Sequence, residues 1–106
     1  MGYVYLIGEK DNDNIFKIGV TKSDNINLRR NKLQTGNPDE LYIKDYFKSD
    51  YPFKVEAMLH RQYMNMNKIN EWFILNENDV KNFKNNCEKY ENIFKSLSDN
   101  PFFKKL

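Results

Sequence analysis

Phe16–Pro38 reads FKIGVTKSDNINLRRNKLQTGNP, and it changes character three times within 23 residues. Phe16, Ile18 and Val20 are apolar at alternate positions, the period of a strand with one covered face. Ser23, Asp24 and Asn25 each offer a helix N-cap, and the spacing predicts a helix from there to about Leu33. Gly36-Asn37-Pro38 then stops it. Lys17, Lys22, Arg29, Arg30 and Lys32 stand against Asp24 alone, a net of +4 in a chain whose total is only +2. Positive charge is therefore gathered in this stretch, and a phosphate-bearing partner is the natural expectation.

Working back towards the start, Tyr3–Ile7 is dense in strand-forming residues and Gly8–Asn14 (GEKDNDN) is a turn cluster. With Ile15–Val20 this predicts a hairpin. A centred loop sets Tyr5 opposite Lys17, Tyr3 opposite Gly19 and Val4 opposite Ile18. Val4, Leu6, Phe16, Ile18 and Val20 then share a buried face, and Tyr3, Tyr5 and Lys17 share the other, with space beside them at Gly19. Working forward, Leu41–Phe47 reads as a third strand. Pro52 opens a second helix, capped by Ser49 or Asp50 and running to about Met66. Val55, Met58, Leu59 and Met66 form its apolar stripe, with Glu56, His60 and Tyr63 along its margin. Glu71–Leu75 is a short apolar extended piece. A last helix starts at Asn78-Asp79 with Val80, Phe83, Cys87, Tyr90, Phe94 and Leu97 as its stripe. Residues 1–98 are expected to form one domain and 99–106 a tail.

A chain of 106 residues supports one modest core. Its mean hydropathy of -0.85 is low, but seven Tyr and eight Phe supply large core side chains that disordered chains lack. The single cysteine, Cys87, excludes an internal disulfide and falls inside an apolar stripe, so it reads as a small core residue. No signal peptide or membrane-spanning run is visible, so an intracellular setting is expected, cytoplasmic or nuclear, in a cell or in one infected by a virus or phage. Zinc-finger, P-loop and Ser/His/Asp patterns are absent.

Several short segments recur in a familiar order. They are Val4-Tyr5, Lys17-Ile18-Gly19, Thr21, Arg29 ahead of Leu33-Gln34-Thr35-Gly36-Asn37-Pro38, Glu56 with Leu59-His60, and Glu71-Trp72-Phe73. Over residues 2–75 the chain resembles the GIY-YIG nuclease superfamily, in its T5orf172/MUG113-like branch. That resemblance implies an α+β fold, a three-stranded antiparallel sheet flanked by helices in β-β-α-β-α order, followed here by a C-terminal helix. It also implies hydrolysis of DNA phosphodiester bonds with one divalent metal, Mg²⁺ or Mn²⁺. Carried across residue by residue, Tyr5 matches the first-motif tyrosine, Arg29 the helix arginine and Glu56 the metal-binding glutamate. Tyr3 stands at the first-motif glycine and Lys17 at the second tyrosine. Arg30 neighbours Arg29, but Arg29 keeps the offset from the LQTGNP block.

The expected chemistry follows from these groups. Tyr5 is the general base, its phenolate favoured by the Lys17 ammonium. Arg29 clamps the phosphate, and Glu56 holds the metal. Lys22, Arg30, Lys32 and His60 contact nucleic acid, His60 orienting a phosphate or a water in preference to ligating metal. Glu71 is expected to be structural. The alternative is a DNA-binding module of the same fold that cleaves weakly or not at all. A third class uses the C-terminal helix as a homodimer seam or as a surface for another protein.

Overall fold

A computed structural model describes residues 1–99 of the chain. Strand β1 (Gly2–Glu9) turns at Lys10-Asp11 into β2 (Asn12–Thr21), antiparallel, with Val4 opposite Val20, Tyr5 opposite Gly19 and Ile7 opposite Lys17. The centred register is therefore corrected by two residues. Asn12, Asp13 and Asn14, read as loop, belong to β2, and an irregularity at Gly8/Glu9 absorbs the difference. A slip of two preserves which face each side chain takes. Val4, Leu6, Phe16 and Ile18 accordingly lie in one core, and Tyr5 points to the opposite face, as expected.

Helix α1 (Ile26–Thr35) follows, capped by the Asn25 side chain, which accepts from the Asn27 amide. Strand β3 (Leu41–Ser49) pairs with β1 on its free side. The turn between α1 and β3 is held by Gln34. Its amide nitrogen donates to the Asp39 carbonyl at 2.8 Å, and its oxygen accepts from the Leu41 amide at 2.7 Å. Gly36 adopts φ -101, not the left-handed conformation that usually selects glycine at this position.

Helix α2 (Pro52–Gln62) ends short of the expected Met66, giving way to a 3-10 turn at Met64–Met66. Its expected Ser49 or Asp50 cap is also absent; Tyr51 takes the N-cap position without a side-chain bond. Two short strands, β4 (Asn67–Ile69) and β5 (Trp72–Ile74), then form a hairpin turned at Asn70, whose φ of 50 is one asparagine tolerates. β5 pairs with β2, so the antiparallel sheet has five strands in the order β3-β1-β2-β5-β4, not the three expected. Three-residue strands carry too little alternation to stand out in the sequence.

The last helical stretch is two helices. Helix α3 (Glu77–Lys81) begins one residue ahead of the expected Asn78-Asp79, with a capping box between Asn76 and Asp79. After Asn82, helix α4 (Phe83–Asp99) runs to the end of the described residues, and the rest of the expected tail lies outside them.

Both faces of the sheet are covered. α2 and α4 bring Val55, Leu59, Phe83, Cys87 and Tyr90 against Val4, Leu6, Phe16 and Ile18. α1 covers Tyr5, Ile7 and Leu41 with Ile26 and Leu33. Tyr63, read as part of a polar margin, is 4% exposed, and its hydroxyl accepts from Asn86 at 3.0 Å, so it is core. Burial pushes the Cys87 thiol up to about 12, which leaves it un-ionised and inert.

Candidate active site

The site lies where the sheet loses a strand. β5 pairs with β2 only from Ile15 to Lys17, so the β2 edge beyond Lys17 must find other partners. The Ile18 amide donates to the Glu71 carbonyl at 3.1 Å, the last rung contributed by the β4–β5 hairpin. The Ile18 carbonyl is met by His60 Nε2, from α2, at 2.8 Å. A carbonyl oxygen only accepts, so Nε2 carries the proton, and in the neutral ring Nδ1 keeps its lone pair. Phe73 packs edge-on against the imidazole with ring centres 5.0 Å apart and fixes its plane.

Around this edge Glu56, His60 and Glu71 gather. One ligand-type atom from each lies within 4.8 Å of the others. Burial raises the Glu56 carboxyl above the ordinary carboxylate range; His60, Lys17 and Arg29 pull it back, and Glu71 adds to the rise. Glu71, expected to be structural, lies within this cluster. Its carboxylate accepts from Lys17 Nζ at 2.7 Å, and Lys17, 12% exposed along its side chain, also lies over the Trp72 ring. The signal in the sequence is positional. Glu71 immediately precedes the strand residue that pairs with Lys17, so β5 pairing alone brings acid and base together.

On the Tyr5 side, the phenol ring lies across Gly19, and a Cβ there would collide with it. This is a close approach that only glycine permits. Arg29 Nε donates to the Tyr5 hydroxyl at 3.2 Å. Burial raises the Tyr5 pKa, the Arg29 bond and charge oppose the rise, and the Glu71 and Glu56 charges add to it. The expected partnership is corrected here: the cation on the Tyr5 hydroxyl is Arg29, and Lys17 serves Glu71.

Tyr5, Lys17, Arg29 and Glu56 are therefore brought together, joined by His60 and Glu71. The neighbouring arginine is placed differently. Arg30 Nη1 donates to the Leu41 carbonyl at 3.2 Å and ties α1 to β3. Lys32 is exposed on α1, and Lys22 lies against Phe53 at the start of α2.

The donor set suits a divalent cation. Two carboxylates match Mg²⁺ or Mn²⁺, and an imidazole held through its other nitrogen by a backbone carbonyl is the usual setting of a metal-bound histidine. Among the described residues, no helix is long and apolar enough to cross a membrane. No curated protein and no solved structure matches the chain. The T5orf172 domain model matches residues 2–88, all five strands, helices α1 to α3 and the start of α4, and the chain belongs to that family.

Proposed function

We propose that the chain is a metal-dependent endonuclease that hydrolyses DNA phosphodiester bonds at the Tyr5–Arg29–Glu56 site. The observation that carries this is the meeting of a phenol, a guanidinium and a His/Glu/Glu cluster from four separate segments, each charge bearing on the others. Membership of the T5orf172 family supports a nuclease-like or DNA-binding role.

Each side chain has a definite task in this mechanism. Arg29 uses Nε on Tyr5, leaving its terminal nitrogens to grip non-bridging phosphate oxygens bidentately. Tyr5 first loses its own proton to solvent, giving a phenolate that the Arg29 guanidinium stabilises, and that phenolate then takes the proton of the attacking water and returns to the phenol. Lys17 neutralises Glu71, which keeps a second carboxylate from repelling the phosphate. Glu56, with His60 and Glu71, would hold Mg²⁺ or Mn²⁺, which when bound supplies positive charge to the phosphate and acidifies water. If His60 Nδ1 takes part, the nitrogen donor shifts preference from Mg²⁺ towards transition ions.

A second reading keeps the cleft without cleavage. The position of Lys17, whose ammonium is occupied by Glu71, favours it, because no second phenol stands there. Plasmid nicking separates the two. Wild-type protein should nick in Mn²⁺ or Mg²⁺ and stop in chelator, and Glu56→Ala should lose at least about 10²-fold while still binding DNA. Wild-type protein that binds plasmid and leaves it supercoiled in both metals is a binding module.

A further inference from the structure

Phe53 stands about half exposed on α2, at 52%, although the same helix buries Val55 and Leu59. A single exposed phenylalanine is ordinary on a protein surface. Its surroundings are what give it meaning. Lys22, the first residue after β2, holds its Nζ 5.5 Å from the centre of the Phe53 ring. With Asp50, Tyr51 and Lys54, these two side chains line an open cleft of about 320 Å³ at the start of α2. Phe53, Glu56 and His60 fall at i, i+3 and i+7, so the ring lies on the same stripe as the site residues, one turn away.

We propose that Phe53 and Lys22 form a stacking step for an unpaired base of the strand whose phosphate lies at the Tyr5–Arg29–Glu56 site. Unpaired DNA is then the preferred substrate over intact duplex. This rests on the phosphate-binding reading above and adds the class of nucleic acid to it. An exposed ring accepts the flat face of any base, whereas bases inside a duplex are already stacked on their neighbours. Lys22 is placed to pair with the phosphate of the nucleotide whose base lies on the ring. Met1, Tyr51 and Pro52 add apolar lining beside the ring, and the rim carries two ammonium groups against Asp50, a pairing of flat apolar surface with positive charge that suits an unpaired nucleotide, which brings a base face and a phosphate together.

The test is equilibrium binding of the full chain, in chelator, to a labelled single-stranded oligonucleotide and to its duplex, each across a range of salt concentrations. A 2-aminopurine in the strand reports stacking by quenching. Phe53→Ala should weaken single-strand binding by roughly 5- to 100-fold, abolish quenching and leave the salt slope and duplex affinity unchanged. Phe53→Trp should retain binding and quenching, and Lys22→Ala should lower the salt slope by about one. Wild-type protein that binds both forms, with Phe53→Ala indistinguishable from it or weakened equally on both, overturns the stacking step and leaves the phosphate site standing. Wild-type protein that shows no salt-dependent binding to either form overturns the phosphate site and this inference with it.

Discussion

Tyr5 is held from two sides, by the bare backbone of Gly19 beneath its ring and by Arg29 at its hydroxyl. Burial raises its pKa above the ordinary value of about 10, so at neutral pH it is a neutral phenol. With Tyr5 as base, nicking should rise close to tenfold per pH unit through the neutral and mildly alkaline range, without levelling below about pH 10. Tyr5→Phe should lose about 10²-fold; a wild-type plateau near neutrality would place the base elsewhere. Gly19→Ala should cost about 1–3 kcal/mol by forcing the ring to move, measurable by urea unfolding, with nicking impaired alongside. Glu56 carries the opposite liability. Its folded pKa is raised, so the half-buried carboxylate costs stability above that pKa, and the cost vanishes below the unfolded value of about 4.3. Glu56→Gln should therefore melt higher than wild type at pH 7, with the difference shrinking as pH falls towards 4. Tyr5, Lys17, Arg29 and Glu56 were legible as a group because each stands in a recognisable short motif. That Arg29 partners Tyr5, and that Lys17 partners Glu71, was not, because both pairings depend on strand register.

At the level of single elements, the two-residue slip in the hairpin shows what patterning can and cannot fix. The alternation of Val4, Leu6, Phe16 and Ile18 determines faces. The offset is set by the turn, and GEKDNDN contains many turn-forming residues without naming two of them. Asn12–Asn14 enter β2 despite poor strand propensity: Asn12 stands opposite Glu9 of β1, and on the other side the Asn14 carbonyl accepts from the Leu75 amide at 2.8 Å. In the α1–β3 connection, the apparent helix-stopping glycine is not the anchor. Gly36 has ordinary φ and open space where a Cβ would go, whereas Gln34 bonds both ends of the turn. Gly36→Ala should thus be neutral or stabilising by up to about 1 kcal/mol. Gln34→Ala should cost about 1–3 kcal/mol through the unpaired Leu41 amide, both read from chemical denaturation. Near α4, the Glu91 carboxylate, 5% exposed, accepts from Ser49 Oγ and from the Asp50 amide at 2.9 Å. That carboxylate ties the residues just ahead of α2 to a helix some forty residues further on, and no local motif announces it.

Over the whole molecule, charge and sheet architecture decide how the site meets a partner. Net charge is only +2, yet Lys22, Arg29 and Lys32 lie on the segments leading to and following the Tyr5 side. Three such phosphate contacts predict that log affinity for duplex DNA falls with log salt at a slope of about −3; a slope near zero would exclude a phosphate-binding role. Metal binding should also register globally. Mn²⁺ at about a hundred times its dissociation constant adds about 2.7 kcal/mol to wild type, seen as a higher melting temperature, and clearly less to Glu56→Gln. The five-stranded sheet was the feature least legible beforehand, because β4 and β5 are three residues each and derive their order from β2 and from Asn67, whose side chain donates to the carbonyls of Asn70 and Trp72. One consequence reaches beyond architecture. The Ile18 amide proton is bonded to Glu71 itself, so whenever the small hairpin swings away, that proton becomes free to trade with deuterium at the same moment the carboxylate departs. The exchange rate at a single backbone nitrogen is therefore a clock for how often the Glu56–His60–Glu71 cluster is incomplete, readable without ligand, metal or any mutation.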